Sequence, residues 1–375
     1  MHVLIAPQEF KGSLTAAEAA RVIAEGVRVA TPDATIDEAP MSDGGAGLVD
    51  AMLAARSGQH IETEVHDPLM RPVRAGWGLL SDGTAVIEMA AASGLVLLAA
   101  GERDPLIATT CGTGELVRAA LDRGCRRFIV GVGGSATVDA GAGAMQALGA
   151  RLLDVSGSDL PCGGAALGRL ASIDLTGVDA RLVNVEMRVA SDVTNTLCGP
   201  QGAAMIFGPQ KGASERDARA LDEALARFAE IVRCDTGIDL LTMPGGGAAG
   251  GLGTGLVVVA GATIEPGFAI VAEAARLEAR IAKADLVITG EGRLDAQTSW
   301  GKTVAGVAKM ARSQGKRVGV IAGTVSEDFD WADSPFDAIV SASPGGVAVE
   351  EAMRDAGTLV RRAAESMIGE FGVRS

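Results

Sequence analysis

The feature that most constrains the fold is a repeated order of elements: a short apolar run, then a polar loop containing glycine, then a helical pattern. Residues 3–6 lead in this way to Lys11-Gly12-Ser13, and residues 35–39 lead to Ser42-Asp43-Gly44-Gly45. The order returns late in the chain, where a glycine-rich loop follows Leu286-Val287-Ile288. Strand, loop and helix in this order favour a parallel sheet covered by helices. The sequence therefore predicts an α/β fold.

Two helices are predicted by their apolar spacing and by their first residues. Thr15 and Glu18 have the spacing of a capping box, and Pro32 ends the apolar stripe that follows. Ser214 is placed to cap a long amphipathic helix that reaches Arg233. We interpret the second of these helices as structural.

The middle of the chain has a different character, because several predicted strands follow one another there. Residues 61–65, 75–80 and 84–89 are these predicted strands, and Asp82-Gly83 between the last two is a strong hairpin signal. Antiparallel pairing is therefore expected here, in contrast to the two ends of the chain.

We therefore predict two domains. Residues 1–60 and 280–375 form a discontinuous Rossmann-like parallel-sheet domain, and residues 61–279 form an inserted mixed α/β domain. We expect the active site in a cleft between them. The length of 375 residues suits two domains, since single cores rarely grow beyond about 250–300 residues.

Composition excludes several classes of protein. The net charge of −14 argues against a nucleic-acid surface, which needs clustered basic residues. No apolar run has the length of a membrane span, and the first residues lack the pattern of a signal peptide. The five cysteines are widely spaced and form no CxxC pair, so a reducing cytoplasm is expected. The sequence leaves a homodimer open.

Several loops carry groups that phosphoryl transfer requires. One carboxylate can accept the proton of an attacking hydroxyl, others can hold Mg²⁺, and cations can neutralise the transferring group. Each aspartate taken alone is also typical of a turn or of a helix cap, and that structural interpretation stays open. The carboxylates are Asp43, Asp192 and Asp295, and the cations are Lys11, Lys211, Arg293 and Lys302.

Two glycine-rich segments are candidates for ligand contact. Gly133, Gly134 and Ser135 follow a strand pattern, and Asp154 lies at a spacing close to that of a dinucleotide-binding fingerprint. A phosphate-contacting loop, a nicotinamide site and a purely structural turn all remain open for this segment.

The second segment contains Gly247, Gly250 and Gly251, and we expect a strand over residues 256–260 after it. Its glycines would let the backbone approach either a ligand or another part of the chain. A Walker A loop ending at Lys302 is excluded, because Ala296 stands where its first glycine is required.

The loops described above belong to a series of sequence strings that runs from end to end of the chain. The strings are Phe10-Lys11-Gly12-Ser13-Leu14, Ser42-Asp43-Gly44-Gly45, Gly133-Gly134-Ser135-Ala136-Thr137, Asp192-Val193, Phe207-Gly208-Pro209-Gln210-Lys211-Gly212, Gly247-Ala248-Ala249-Gly250-Gly251-Leu252-Gly253 and Thr289-Gly290-Glu291-Gly292-Arg293 through Lys302. In this order they resemble the bacterial glycerate kinase family of the glycerate 2-kinase type.

The resemblance implies phosphorylation of D-glycerate to 2-phosphoglycerate with ATP and Mg²⁺, in an enzyme of two α/β domains. Our hypothesis for the roles is that Asp192 is the general base, with Asp295 as second candidate, and that Asp43 or Asp295 holds Mg²⁺. Arg293 and Lys11 would bind the glycerate carboxylate or the transferring phosphoryl group. Contacts to nucleotide phosphates or to the substrate would come from Lys211, Lys302 and the backbone amides of residues 133–135 and 247–251.

This chain departs from the family pattern at several positions that bear on the substrate pocket. Gln8-Glu9 replace Asp-Ser, Ala46 replaces Glu, Val138 replaces Asn, and Thr196 replaces Pro. A related hydroxy acid could therefore replace glycerate. Two other functions are kept as alternatives: a nicotinamide-dependent oxidoreductase of a small hydroxy acid, and a non-catalytic module that binds a hydroxy acid.

Overall fold

The structure is a computed structural model that describes residues 1–295, 303–327, 329, 334–343 and 349–372. The chain forms two compact units. Unit 1 comprises Met1–Asp43, Asp50–Ser57 and Phe268–Ser375, and unit 2 comprises Gly44–Val49 and Gly58–Gly267. The chain thus leaves unit 1 directly after Asp43 and returns to it for good at Phe268.

Strands and helices alternate along most of the described chain. The strands are β1 (His2–Ile5), β2 (Thr35–Glu38), β3 (Gly58–His66), β4 (Pro72–Leu80), β5 (Thr84–Glu88), β6 (Arg127–Gly131), β7 (Arg151–Leu153), β8 (Ser172–Asp174), β9 (Glu186–Ala190), β10 (Thr263–Glu265), β11 (Leu286–Leu294), β12 (Arg317–Val325) and β13 (Ala338–Ser341). The helices are α1 (Ala16–Ala30), α2 (Leu48–Arg56), α3 (Ala90–Ser93), α4 (Cys111–Asp122), α5 (Ala142–Ala147), α6 (Ala203–Phe207), α7 (Glu215–Thr236), α8 (Leu252–Ala260), α9 (Gly267–Ala274), α10 (Leu277–Lys283), α11 (Thr303–Ser313), α12 (Val349–Arg354) and α13 (Ala356–Glu370).

Unit 1 is built on a parallel sheet of five strands in the order β13-β12-β11-β1-β2. The predicted capping box starts α1, since the Thr15 hydroxyl accepts from the Glu18 amide while Glu18 accepts from the Thr15 amide. The apolar face of α1 packs on α13, where a Cβ at Gly26 would lie 2.3 Å from the Arg361 carbonyl oxygen. The parallel sheet predicted for the two ends of the chain is therefore confirmed.

Unit 2 contains a mixed sheet of six strands in the order β10-β9-β6-β5-β4-β3. The strands β3, β4 and β5 pair antiparallel, with Asp82-Gly83 in the turn between the last two, as predicted. The strands β5, β6, β9 and β10 are parallel. Trp77 and Phe128 lie in the core on this sheet. Ser214 caps α7 as predicted, and Phe228 of that helix packs in a second core.

Two local predictions were wrong. Residues 256–260 belong to helix α8, since a short run that is apolar on every side does not distinguish a buried strand from a buried helix. Strand β11 does not end before Gly290 but continues to Leu294, paired with β12 along its length. The helices α9 and α10 are separated by a break at Arg276, whose φ of 49° is left-handed.

Candidate active site

The carboxyl ends of the parallel strands of unit 1 converge on one pocket of about 540 Å³. The loop after β1 approaches the end of β11, because the Gln8 amide donates to the Gly290 carbonyl over 2.8 Å. The loop after β2 joins it, since the Met41 amide donates to the Pro7 carbonyl over 2.9 Å. Ligands of open α/β sheets bind at this edge. The polar residues that line the pocket are Gln8, Glu9, Lys11, Ser13, Asp43, Glu291, Arg293, Asp295, Thr324 and Ser343.

Four residues that the sequence analysis selected therefore share one pocket: Lys11, Asp43, Arg293 and Asp295. The Arg293 guanidinium donates to the Ser326 hydroxyl over 3.1 Å, which orients the side chain at the end of β11. One arginine and one lysine beside several carboxylates form a site of mixed charge. Such a site can hold the carboxylate or phosphate of a ligand with its cations and the hydroxyls or metal of that ligand with its carboxylates.

Two residues that the sequence analysis did not select as site residues also line this pocket. The Gln8 side-chain amide donates to a carboxylate oxygen of Asp43 over 2.9 Å and so fixes the orientation of that carboxylate. Burial raises the pKa of the neighbouring Glu9 carboxyl, an effect that Lys11 opposes and Asp43 reinforces. Their position directly after β1 was the available signal, because the loops that follow parallel strands share one edge.

The opposite wall of the pocket is apolar and comes from α12 and α13, through Ala352, Met353, Ala356, Leu359 and Val360. Gly12 lies beneath it with a φ of +78°, and a Cβ there would lie 2.7 Å from the Met353 methyl group. The wall shields one side of the polar groups from water, which strengthens their interaction with an anion.

The oxygen groups of this pocket fit Mg²⁺ in kind. Asp43 and Asp295 offer hard carboxylate oxygens, which this ion prefers. Among the residues that the structure describes, no three His, Cys, Asp or Glu side chains are grouped closely enough to enclose a metal by themselves. That arrangement suits Mg²⁺ in kinases, where one or two carboxylates act together with the phosphates of the substrate and with water.

In unit 2, Asp192 lies directly after β9 at the carboxyl edge of its parallel strands. One carboxylate oxygen accepts from the Gly267 amide over 2.7 Å, and the residue is exposed. Gly44 lies along the same edge, because its carbonyl accepts from the Gly133 amide over 3.3 Å. The loop after β2 thus continues beyond Asp43 as part of unit 2, beside the loop after β6.

Lys211 lies inside unit 2 and contacts the loop after β6. It is 1% exposed, and its ammonium group donates to the Ser135 hydroxyl over 2.7 Å and to the Thr137 carbonyl over 2.8 Å. Burial lowers the pKa of Lys211 to about 7, although Asp139 opposes the shift. A direct contact between Lys211 and nucleotide phosphates stays a prediction.

Asp139 is a further residue that the sequence analysis missed. It is fully buried, and its carboxylate accepts from the Thr110 amide and hydroxyl, each over 2.9 Å, and from the amides of Gly141 and Gly143. Burial raises its pKa, and these hydrogen bonds oppose that change. A single acid within the apolar residues 136–145 was the only signal for it.

The glycines near residue 250 are packed against other parts of the chain. A Cβ would lie 2.1 Å from the Thr196 carbonyl oxygen at Gly247 and 2.1 Å from the Thr137 carbonyl oxygen at Gly250. Gly251 has a φ of +94°, which favours glycine. Close packing therefore accounts for these glycines, and their role in cofactor binding stays a prediction.

The remaining sequence predictions concern residues outside the described part of the chain and the dinucleotide fingerprint. Lys302 lies outside the described residues, as do Thr298 and Trp300. The dinucleotide fingerprint has its strand, β6, but α5 begins only at Ala142, so Gly133-Gly134-Ser135 do not open a helix. A pyrophosphate bound as in the Rossmann motif needs that helix N-terminus, so the nicotinamide hypothesis loses its structural basis.

The fold and the pocket define an α/β protein with a polar ligand site at the carboxyl edge of a parallel sheet. Comparison with known proteins is consistent with this class. The model of the glycerate kinase family matches residues 3–371. A glycerate kinase of Bacillus subtilis (strain 168) is 49% identical over 369 residues, which cover 98% of this chain and 97% of the relative. A glycerate 2-kinase of Escherichia coli (strain K12) is 44% identical over 100% of this chain and 98% of its own length.

A crystal structure gives the same result at the level of the fold. It is of a protein assigned as glycerate kinase 2 from Salmonella typhimurium LT2, 46% identical, with a TM-score of 0.89 over 99% of this chain and 98% of that chain. The chain belongs to the glycerate kinase family. The family resemblance, the α/β fold class and the prediction of a kinase are thereby confirmed. No helix within the described part of the chain is long and apolar enough to cross a membrane.

Proposed function

We propose that this protein transfers the terminal phosphoryl group of ATP to the 2-hydroxyl of D-glycerate, giving 2-phosphoglycerate. The observation that carries the proposal is the pocket of unit 1, in which Lys11 and Arg293 lie with Asp43 and Asp295 at the carboxyl edge of a parallel sheet. Glycerate has one carboxylate for the cations and two hydroxyls for the carboxylates, so its groups complement those of the pocket.

We propose the following roles for the residues of this pocket. Arg293 and Lys11 bind the carboxylate of glycerate or the transferring phosphoryl group, and neutralise charge that develops on it. Asp43 and Asp295 are the groups that would hold Mg²⁺, which, when bound, neutralises the phosphates of the nucleotide. Gln8 keeps the Asp43 carboxylate in one orientation through its 2.9 Å hydrogen bond.

As general base for the 2-hydroxyl we propose Asp192, with Asp295 as the second candidate. The Asp192 carboxylate is already oriented by the Gly267 amide and is exposed, so a hydroxyl can reach it. Removing a general base typically slows the chemical step by about 10²–10⁴-fold. Asp192→Asn should therefore lose activity to that extent while keeping the fold, and Asp295→Asn provides the comparison. Turnover of Asp192→Asn near that of the parent would assign the base to another residue.

The experiment that tests the function itself is direct. The protein is incubated with Mg-ATP and D-glycerate, and the position of the phosphate in the product is assigned by phosphorus NMR. We expect 2-phosphoglycerate. Product phosphorylated at the 3-position would change the assigned regiochemistry, and no phosphoglycerate at all would refute glycerate as the substrate. The cytoplasmic location and a homodimer remain predictions from the sequence.

A further inference from the structure

A buried lysine contacts a buried serine in unit 2, in a place that the proposed roles do not explain. Lys211 is 1% exposed, and two of the three N–H donors of its ammonium group have acceptors, Ser135 Oγ at 2.7 Å and the Thr137 carbonyl at 2.8 Å. An ammonium group out of water is costly. Methionine would fill a similar volume without that cost, which indicates that the charge of Lys211 has a specific role.

We propose that Lys211 is a positioning residue that acts through Ser135: by donating to Ser135 Oγ, it leaves the hydroxyl hydrogen of Ser135 to be donated to an anion held by the loop of residues 133–135. The inference rests on the proposed function, in which that anion is a nucleotide phosphate. A protonated lysine has three donors and no acceptor, whereas a serine hydroxyl has one donor and two acceptor positions. The hydroxyl hydrogen must therefore point away from the ammonium group.

The backbone around Ser135 is held in place on both sides, so the position of its hydroxyl is fixed. The Gly134 carbonyl accepts from the Leu95 amide over 2.9 Å, and the Ala136 amide donates to the Ser93 carbonyl over 2.9 Å. Ser135 is largely buried but keeps an exposed fraction of 7%. A fixed hydroxyl beside Gly133-Gly134, which carry no Cβ, can approach a phosphate oxygen closely.

Protonation of Lys211 would control the direction of this hydrogen bond. Burial lowers the pKa of Lys211 to about 7, and Asp139 is the charged group that acts on it from the packed elements, in the opposite sense. The next residue, Gly212, packs against the backbone carbonyl of Arg103, since a Cβ at Gly212 would lie 2.3 Å from that oxygen. A neutral amine can accept a hydrogen bond, so the Ser135 hydrogen can then turn inward. Binding of an anion should therefore favour the protonated lysine and weaken above pH 7.

The test measures the dissociation constant of ADP by calorimetry at pH 6.5, 7.5 and 8.5. Lys211→Met, Ser135→Ala and their combination are compared with the parent protein. Thr137→Val is the matched control, since the buried Thr137 hydroxyl has no hydrogen-bond partner among the described residues and its carbonyl is kept. Circular dichroism confirms that each variant is folded.

We expect each single substitution to weaken ADP binding about tenfold at pH 6.5, the effect of one hydrogen bond to a charged group, and the combination to weaken it no further. The ratio of parent to Lys211→Met affinity should fall from about tenfold at pH 6.5 towards one at pH 8.5, and taking this ratio cancels the titration of ADP itself. Thr137→Val should bind like the parent. Calorimetry in buffers of different ionisation enthalpy should show more proton uptake on ADP binding in the parent than in Lys211→Met.

Two results would overturn the inference while leaving the proposed function intact: additive losses in the combined variant, or a ratio that does not change with pH. If Lys211→Met does not fold, Ser135→Ala still decides, because the ratio of parent to Ser135→Ala affinity should fall between pH 6.5 and 8.5, and a constant ratio would refute the role of Ser135. If the parent protein does not bind ADP at any pH, the proposed function fails and the inference fails with it.

Discussion

The buried Lys211 should make the stability of the fold depend on pH. Its pKa is lowered from 10.5 to about 7 by burial. Below pH 7 both the folded and the unfolded chain carry the proton, so the cost of burying the charge is present in full. It amounts to about 5 kcal/mol for a shift of this size. Between pH 7 and 10.5 the unfolded chain binds more protons than the folded one, and stability must therefore rise with pH.

The titration of Lys211 alone should increase the free energy of unfolding by about 2 kcal/mol between pH 7 and 9. Other groups also titrate, so the quantity to measure is the difference between the parent and Lys211→Met at each pH. We expect this difference to move in favour of the parent by about 2 kcal/mol over the range.

The assay is urea unfolding followed by tryptophan fluorescence at several pH values. Trp77 is fully buried in unit 2 and donates to the Thr63 hydroxyl over 3.0 Å, so its emission reports the unfolding of that unit. Replacing Trp300 and Trp331 by Phe in all variants leaves Trp77 as the only fluorophore of its kind. Lys309→Met, at an exposed lysine, serves as control. Parallel pH curves for the parent and Lys211→Met would refute a shifted Lys211.

Three further predictions follow from local contacts. Ser214→Ala should lower the free energy of unfolding by about 1 kcal/mol, because the capping box of α7 loses its hydroxyl, and an unchanged urea midpoint would show that the cap contributes nothing. Gly250→Ala should lower the free energy of unfolding by more than about 2 kcal/mol, since φ is +68° and the new Cβ would lie 2.1 Å from the Thr137 carbonyl oxygen. Gly199→Ala is the control: its φ is +96° but its Cβ would meet open space, so it should lower that free energy by only about 1 kcal/mol. Equal losses of stability in thermal unfolding would contradict the packing argument. Arg293→Met should raise the KM for D-glycerate about tenfold or more in steady-state kinetics, and an unaltered KM would exclude it from the carboxylate site.

Local signals in the sequence were sufficient for the elements whose stability is local. The capping box at Thr15, the cap at Ser214 and the turn at Asp82-Gly83 were predicted correctly, because their hydrogen bonds join residues only a few positions apart. The repeated order of strand, loop and helix predicted the parallel sheet of unit 1. It also placed Lys11, Asp43, Arg293 and Asp295 at the same edge.

Where the local signals failed, packing decided the outcome. The run over residues 256–260 is apolar on all sides and forms a helix. Gly290 does not interrupt β11, because β12 approaches it so closely that a Cβ at position 290 would lie 2.6 Å from the Ile321 carbonyl oxygen. The domain limits that we expect near residues 60 and 280 stay a prediction about parts that fold independently.

The sequence by itself determined the class of fold, the family and the set of polar residues in the loops, since these depend on the order and type of residues along the chain. Only the tertiary structure decided which of those residues meet and which are withdrawn from water. Lys11 and Lys211 look alike in sequence, as lysines beside glycine in polar loops, yet one lines a pocket and the other is buried against Ser135. Burial depends on segments that are distant in the chain, and burial sets the charge that a lysine can carry.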